Sequence, residues 1–210
     1  MSVDLDAKGS KGVAPPVSTG PSWGTFFARV LLVLTRPTKA WERLSREEVP
    51  IAELLWPHVV VLLLARGGAE LVGRLLEGWT IGAALADFAM GVISWFVLVW
   101  VFSFVAGSVA STRGGARLAA GDALRFGAYG LTPLFVVGLI GLFPLPYVSQ
   151  IAAVLAMPYA FYVLAVGVRP MLHVEDKEAA AVTGLMCGAL VLAWALLPNL
   201  MGLIVRAIGT

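Results

Sequence analysis

Five apolar stretches, near 54–73, 83–110, 122–142, 147–168 and 182–206, take up most of this 210-residue chain. Each comes close to the roughly 20 residues that a helix needs to cross about 30 Å of hydrocarbon. Lipid offers no partner to an open backbone N–H or C=O, so stretches of this kind must be helical or nearly so. The pattern predicts an all-α chain: an integral membrane helical bundle of five transmembrane helices, preceded by a short amphipathic interfacial helix. Composition agrees, with 59% hydrophobic and only 13% charged residues, where soluble domains carry about 25% charged. The first stretch is the weakest of the five, because Arg66 and Glu70 interrupt it.

The placement of positive charge orients such a bundle. Twelve of the 15 Lys and Arg residues fall on one side: seven ahead of the first stretch, then Arg113, Arg117 and Arg125, then Arg169 and Lys177. Only Arg74 and Arg206 fall on the other side, while Arg66 lies within a span. Five spans with this bias place the N-terminus in the cytoplasm and the C-terminus outside, in a multi-pass protein of the inner (cytoplasmic) membrane. The uncharged "FPLP" at 143–146 reads as a tight external hairpin, its prolines ending one helix and restarting the next.

Three regions follow from the pattern. Residues 1–22, rich in Ser, Gly, Pro and Lys and without an apolar core, read as a disordered cytoplasmic tail and not as a signal peptide. Residues 23–50 read as an amphipathic membrane-surface segment, and 51–210 as the five-span domain. Within 23–50, Trp23, Phe26, Phe27, Val30, Leu31 and Leu34 recur at helical spacing in a run too short to span. A second short helix is expected over 37–48, with Pro37 in its first turn and Thr35 as a cap. Trp41 and Leu44 share one face of it, while Lys39, Glu42, Arg43 and Arg46 cover the others. A helix of that kind lies in the headgroup layer. Pro37, Trp41, Arg43 and Arg46 are then the surface that meets membrane lipids or docks a protein partner.

Several short motifs here resemble the Yip-domain family, named for proteins that interact with Ypt/Rab GTPases. "P-x-x-x-W" (Pro37, Trp41) is followed by the acidic Glu47 and Glu48. "AYGLTP" (128–133) supplies Tyr129, Thr132 and Pro133, and "YAFYVLAVGV" (159–168) supplies Tyr159, Tyr162 and Gly167. The resemblance covers about residues 33–206 and rests on the order and spacing of these motifs. It implies a five-helix membrane domain without known catalytic activity. Its eukaryotic members act in vesicle traffic and Golgi organisation.

Charges inside hydrocarbon cost about 2.5–3.5 kcal/mol each on insertion scales, so each marks a candidate site. Arg66, Glu70 and Asp87 qualify. If the first two spans form an antiparallel hairpin turning near Gly78, Glu70 and Asp87 lie at similar depth. Arg66 is one turn before Glu70, and Arg74 one turn beyond it. Two uses are open: an ion-pair network that locks the hairpin, or a polar site for a lipid headgroup, ion or proton. Pro133, Pro158 and Pro198 fall inside spans and predict kinks. Gly184-x-x-x-Gly188, Ser103-x-x-x-Gly107 and Gly127-x-x-Gly130 permit close helix approach, within the bundle or between copies of the chain in a homo-oligomer.

Other chemistry has little support. The single cysteine, Cys187, sits in an apolar run, and His58 and His173 belong to different segments, so no metal or other cofactor is expected. "HVEDKE" (173–178) reads as a solvated loop. Neither a phosphate-binding Gly-rich loop nor a nucleophile elbow occurs, and a net charge of +2 gives no reason to expect nucleic acid. The expectation is a non-enzymatic membrane protein that organises membrane or recruits partners through its N-terminal segment and loops. The alternative is a small transporter or lipid-translocating protein that uses Arg66, Glu70 and Asp87 with the kinked helices.

Overall fold

A computed structural model of the chain describes residues 23–47, 50–113 and 119–208, without the side chains of 113, 197–199 and 201–208. The expected tail (1–22), Glu48, Arg117 and the side chains of Arg113, Pro198 and Arg206 therefore lie outside the described residues. The described chain is helical: α1 (Trp23–Thr35), α2 (Pro37–Leu44), α3 (Ile51–Glu53), a π-helical turn (Leu54–Val59), α4 (Val60–Leu76), α5 (Ile81–Arg113), α6 (Ala120–Gly130), α7 (Thr132–Val137), a 3-10 turn (Gly138–Leu142), α8 (Val148–Leu172) and α9 (Asp176–Ile208).

Four stretches are long and apolar enough to cross a membrane: Ile81–Thr112, Ala120–Leu142, Val148–Leu172 and Asp176–Leu196. The first expected span, near 54–73, is not among them. Residues 54–59 form the π turn, where Trp56 leaves the helical region (φ −121°, ψ 119°), and a 17-residue helix begins only at Val60. Arg66, Glu70 and Arg74 then keep α4 from being apolar throughout.

Length and composition explain the outer helices. α5 and α8 are apolar on every side, so their surfaces suit lipid as well as a core. At about 1.5 Å per residue, α5 is about 50 Å long. The α6–α7 limb lies at the centre, the most buried of the four spans. Phe126, Tyr129, Leu131, Leu134 and Phe135 on it are buried completely. A single turn residue, Leu131, separates α6 from α7, and Pro133 lies in the first turn of α7. Pro158, by contrast, lies inside the unbroken α8. Gly127 sits so close to α5 that a Cβ there would collide with the Ser103 hydroxyl, which makes the α5–α6 contact one of small residues. A Cβ added at Gly184 or Gly188 would meet nothing within 4 Å, and Cys187 between them is half-buried. The α4–α5 turn uses Gly78 at φ 90°, and residues 143–147 make the hairpin into α8.

The N-terminal segment departs most from expectation. Phe26, Val33, Ala40, Trp41 and Leu44 belong to the same apolar core as α5 to α9. Trp41 is fully buried, donates its indole N–H to the Val163 carbonyl at 2.8 Å, and lies 5.5 Å from the Phe126 ring. Trp41 and Pro37 thus face the bundle and not a headgroup layer. The reason is Gly167: a Cβ there would come within 2.6 Å of the Trp41 ring, so its absence opens the slot that the indole fills. Thr35 does not cap α2 either. Its hydroxyl donates to the Leu31 carbonyl at 2.7 Å, and Arg36 takes the cap position.

Candidate functional site

The charged residues of α4 recur every four positions, so Arg66, Glu70 and Arg74 line one face of that helix. α5 answers with Asp87, Gly91, Ser94, Trp95 and Leu98, which also share a face. Ser149, Gln150 and Ala153 from α8 and Ala193 and Trp194 from α9 complete the walls of a cavity of about 510 Å³. That volume lies within the range of small-molecule sites.

Arg66 sits at the floor and is 6% exposed. It bonds the Glu70 carboxylate at 2.7 Å and the Leu134 carbonyl at 2.8 Å, and its guanidinium lies 4.2 Å above the Trp95 ring. Trp95 is held edge-on by Phe135. Close approach of α4 to the 3-10 turn makes this burial possible. A Cβ at Gly138 would fall 2.6 Å from the Arg66 Cγ, and one at Gly141 would fall 2.6 Å from the Glu70 Cγ. One turn toward the mouth, Arg74 bonds Asp87 at 3.1 Å and Glu77 at 3.3 Å, and stacks 4.7 Å from Trp79.

Arg66, Glu70 and Asp87 therefore do share one site, but not as a single triad. The structure sorts them into two stacked pairs, Arg66–Glu70 and Arg74–Asp87. Arg74 is legible in the sequence as one turn past Glu70, yet its pairing with Asp87 depends on how α4 docks on α5. Ser94, Ser149, Gln150 and Trp194 carry no sequence signal, because single polar or aromatic residues in apolar helices are common.

The motif residues of the family resemblance gather elsewhere, and two of them, Tyr159 and Gly167, hold the N-terminal segment. Tyr159 donates its hydroxyl to the Leu34 carbonyl at 2.7 Å, and Gly167 receives Trp41. Thr132 lies 3.0 Å from the His58 imidazole, whose ring is 4.3 Å from that of Tyr129. Tyr162, half-exposed, lies 6.1 Å from Tyr159. His58, to which the sequence assigns no role, is the buried residue that ties the π turn to α7.

Of the expected lipid- or partner-facing residues, only Arg43 and Arg46 are exposed, together with Arg36 and Lys39. Arg43 is tied to Glu47, which Arg29 also bonds at 3.1 Å, while Arg125 donates to the Glu47 carbonyl at 2.8 Å. Burial pushes the Glu47 carboxyl up, but the hydrogen bond from Arg43 and the charge of Arg29 outweigh it and hold the group below the usual carboxylate value.

A family model described as the Yip1 domain matches residues 31–207. The chain is 24% identical over 185 residues to proteins named Inner membrane protein YohC from Escherichia coli strain K12 and from Escherichia coli O6:H1 strain CFT073. The match covers 81% of this chain and 89% of each relative. No solved structure gives a significant match.

Proposed function

The chain belongs to the Yip1-domain family, and from that premise we propose that it is a non-enzymatic inner-membrane protein that binds the polar head of an amphiphile inside its bundle. One observation carries this reading: four charged side chains, costly anywhere in hydrocarbon, converge on a cavity of about 510 Å³ and do not close it. A network serving only to lock the α4–α5 hairpin would favour a filled interface. Under this reading α3, the π turn and α4 make the fifth span, the N-terminus is cytoplasmic, and the C-terminus and the cavity mouth are external. The name of the Escherichia coli relatives supports an inner-membrane location.

Purification in nanodiscs followed by native mass spectrometry tests the proposal. Wild-type protein retains an amphiphile, and Gly91→Leu, which places a side chain in open cavity space beside Glu70, loses it while keeping its thermal stability. A wild-type protein with nothing bound, or a Gly91→Leu protein that binds as before, removes the reading.

A second reading keeps an independent observation. Because Pro37, Ala40, Trp41 and Leu44 are buried, α2 is fixed with Arg36, Lys39, Arg43 and Arg46 outward. That basic face suits anionic lipid or an acidic protein partner at the cytoplasmic side. Charge reversal by Lys39→Glu with Arg46→Glu then releases any partner recovered by cross-linking; an unchanged cross-linking pattern removes this reading.

A further inference from the structure

The unsatisfied groups of the cavity specify the ligand more narrowly than its volume does. Among the described residues, two guanidinium groups, Arg66 and Arg74, face three carboxylates, Glu70, Asp87 and the rim residue Glu77. A bare anion would add to an existing excess of negative charge in a low-dielectric site. A bare cation would leave donors unused. Arg66 is spent on the Glu70 carboxylate and the Leu134 carbonyl, and its Nε–H is closed off from the cavity, but Arg74 spends Nε on Asp87 and Nη1 on Glu77, which leaves Nη2. Acceptors are open as well. Glu70 uses Oε1 on Arg66, while its Oε2 lies toward Gly91 on the cavity wall. Asp87 uses Oδ2 on Arg74, which leaves Oδ1. Donors and acceptors thus alternate along the cavity at one-turn spacing, about 6 Å apart along the α4 axis.

Resting on the amphiphile-binding reading, we propose that the cavity takes a zwitterion: an oxyanion joined by a short linker to a primary ammonium, as in a phosphoethanolamine headgroup. The ammonium pairs with Glu70 Oε2 and Asp87 Oδ1. The oxyanion accepts from Arg74 Nη2, with the Ser94 hydroxyl and the Gln150 amide N–H as neutral donors on the other walls and the charge of Arg66 at the floor. Met90, Leu98 and Ala153 leave the remaining surface apolar, which suits the glycerol and first acyl carbons of a phospholipid. The same headgroup chemistry exists on a soluble glycerophosphoethanolamine, so the test separates the two sources.

Full-length protein is placed in nanodiscs of equal phosphatidylethanolamine and phosphatidylglycerol, and the lipids that remain bound on detergent extraction are counted by native mass spectrometry. The expected result is a preference for phosphatidylethanolamine of about tenfold, a difference of about 1.4 kcal/mol. Asp87→Asn, at a rim position that is 41% exposed and so tolerant of substitution, brings the two lipids to parity. Competition by glycerophosphoethanolamine at concentrations that displace the lipid assigns the site to the soluble zwitterion; failure of that competition assigns it to the lipid. Equal or better retention of phosphatidylglycerol by wild-type protein overturns the zwitterion while amphiphile binding stands. Absence of any bound lipid, with Gly91→Leu indistinguishable from wild type, removes both.

Discussion

Arg66 and Trp41 show how much a single side chain depends on what receives it. Arg66 is tolerated in an apolar core because Glu70, a backbone carbonyl and the Trp95 face share its charge. Removing one partner of such a pair strands the other, at a cost of about 3–5 kcal/mol. Arg66→Ala is therefore strongly destabilising in an unfolding titration in mixed micelles. The double variant Arg66→Met with Glu70→Leu recovers most of that loss, because no charge is left buried, but it binds no ligand. Recovery without the second substitution would contradict the pairing. Trp41→Ala opens a core cavity and is expected to cost about 3–5 kcal/mol. Trp41→Phe loses mainly the bond to the Val163 carbonyl, about 1 kcal/mol. Gly167→Ala presses on the same ring and costs about 1–3 kcal/mol. Equal stability of Trp41→Phe and Trp41→Ala would show that the indole slot contributes little. The Trp41–Leu44 spacing is legible as a shared face, but a tryptophan between charged residues fits a headgroup layer and a core slot equally well. The slot is made by a glycine 126 positions away.

At the scale of elements, α1 and α2 are fastened to the bundle at three places, the Trp41 slot, the Tyr159–Leu34 bond and the Glu47 clasp. Glu47 joins Arg29 on α1 to Arg43 on α2, while its carbonyl accepts from Arg125 on α6. Its carboxyl is held below the usual value in the folded protein. The clasp therefore stabilises fully above the unfolded-state value and is lost as pH falls through the lower folded-state value. The measurable quantity is the melting-temperature difference between wild type and Glu47→Gln. It is greatest near neutral pH and shrinks toward zero in acid; a difference independent of pH would rule the clasp out. The Arg43–Glu47 spacing is readable as i, i+4, but the contributions of Arg29 and Arg125 depend on the fold bringing three helices together. The break in the first apolar stretch also escapes a reading based on periodicity. Pro133 lies in the first turn of a helix and Pro158 stays within one, while the departure from helix occurs at Trp56, beside Pro57.

Taken whole, the molecule is a central α6–α7 limb sheathed by helices whose outer surfaces are apolar, and its sidedness is testable with cysteines. In a Cys187→Ser background, Leu145→Cys in the exposed α7–α8 hairpin reacts with an impermeant maleimide added outside intact cells, and Ser45→Cys reacts only after permeabilisation. The reverse pattern would invert the bundle. Labelling of both from one side would remove the fifth span and leave the four long apolar helices. Helicity, membrane residence and the shared face of Arg66 and Glu70 were legible in local sequence, because hydropathy and spacing along a single helix do not depend on what lies across from it; grouping Asp87 with them rests on an assumed α4–α5 hairpin. Tertiary structure alone decided that Trp41 points inward, that Arg74 is the partner of Asp87, and that the charged pairs border a cavity. The low amphipathicity of α5 and α8 leaves their packing faces unmarked by periodicity, and the close approach allowed at Gly138 and Gly141 seats α4 against the 3-10 turn, while Gly167 seats Trp41 against α8.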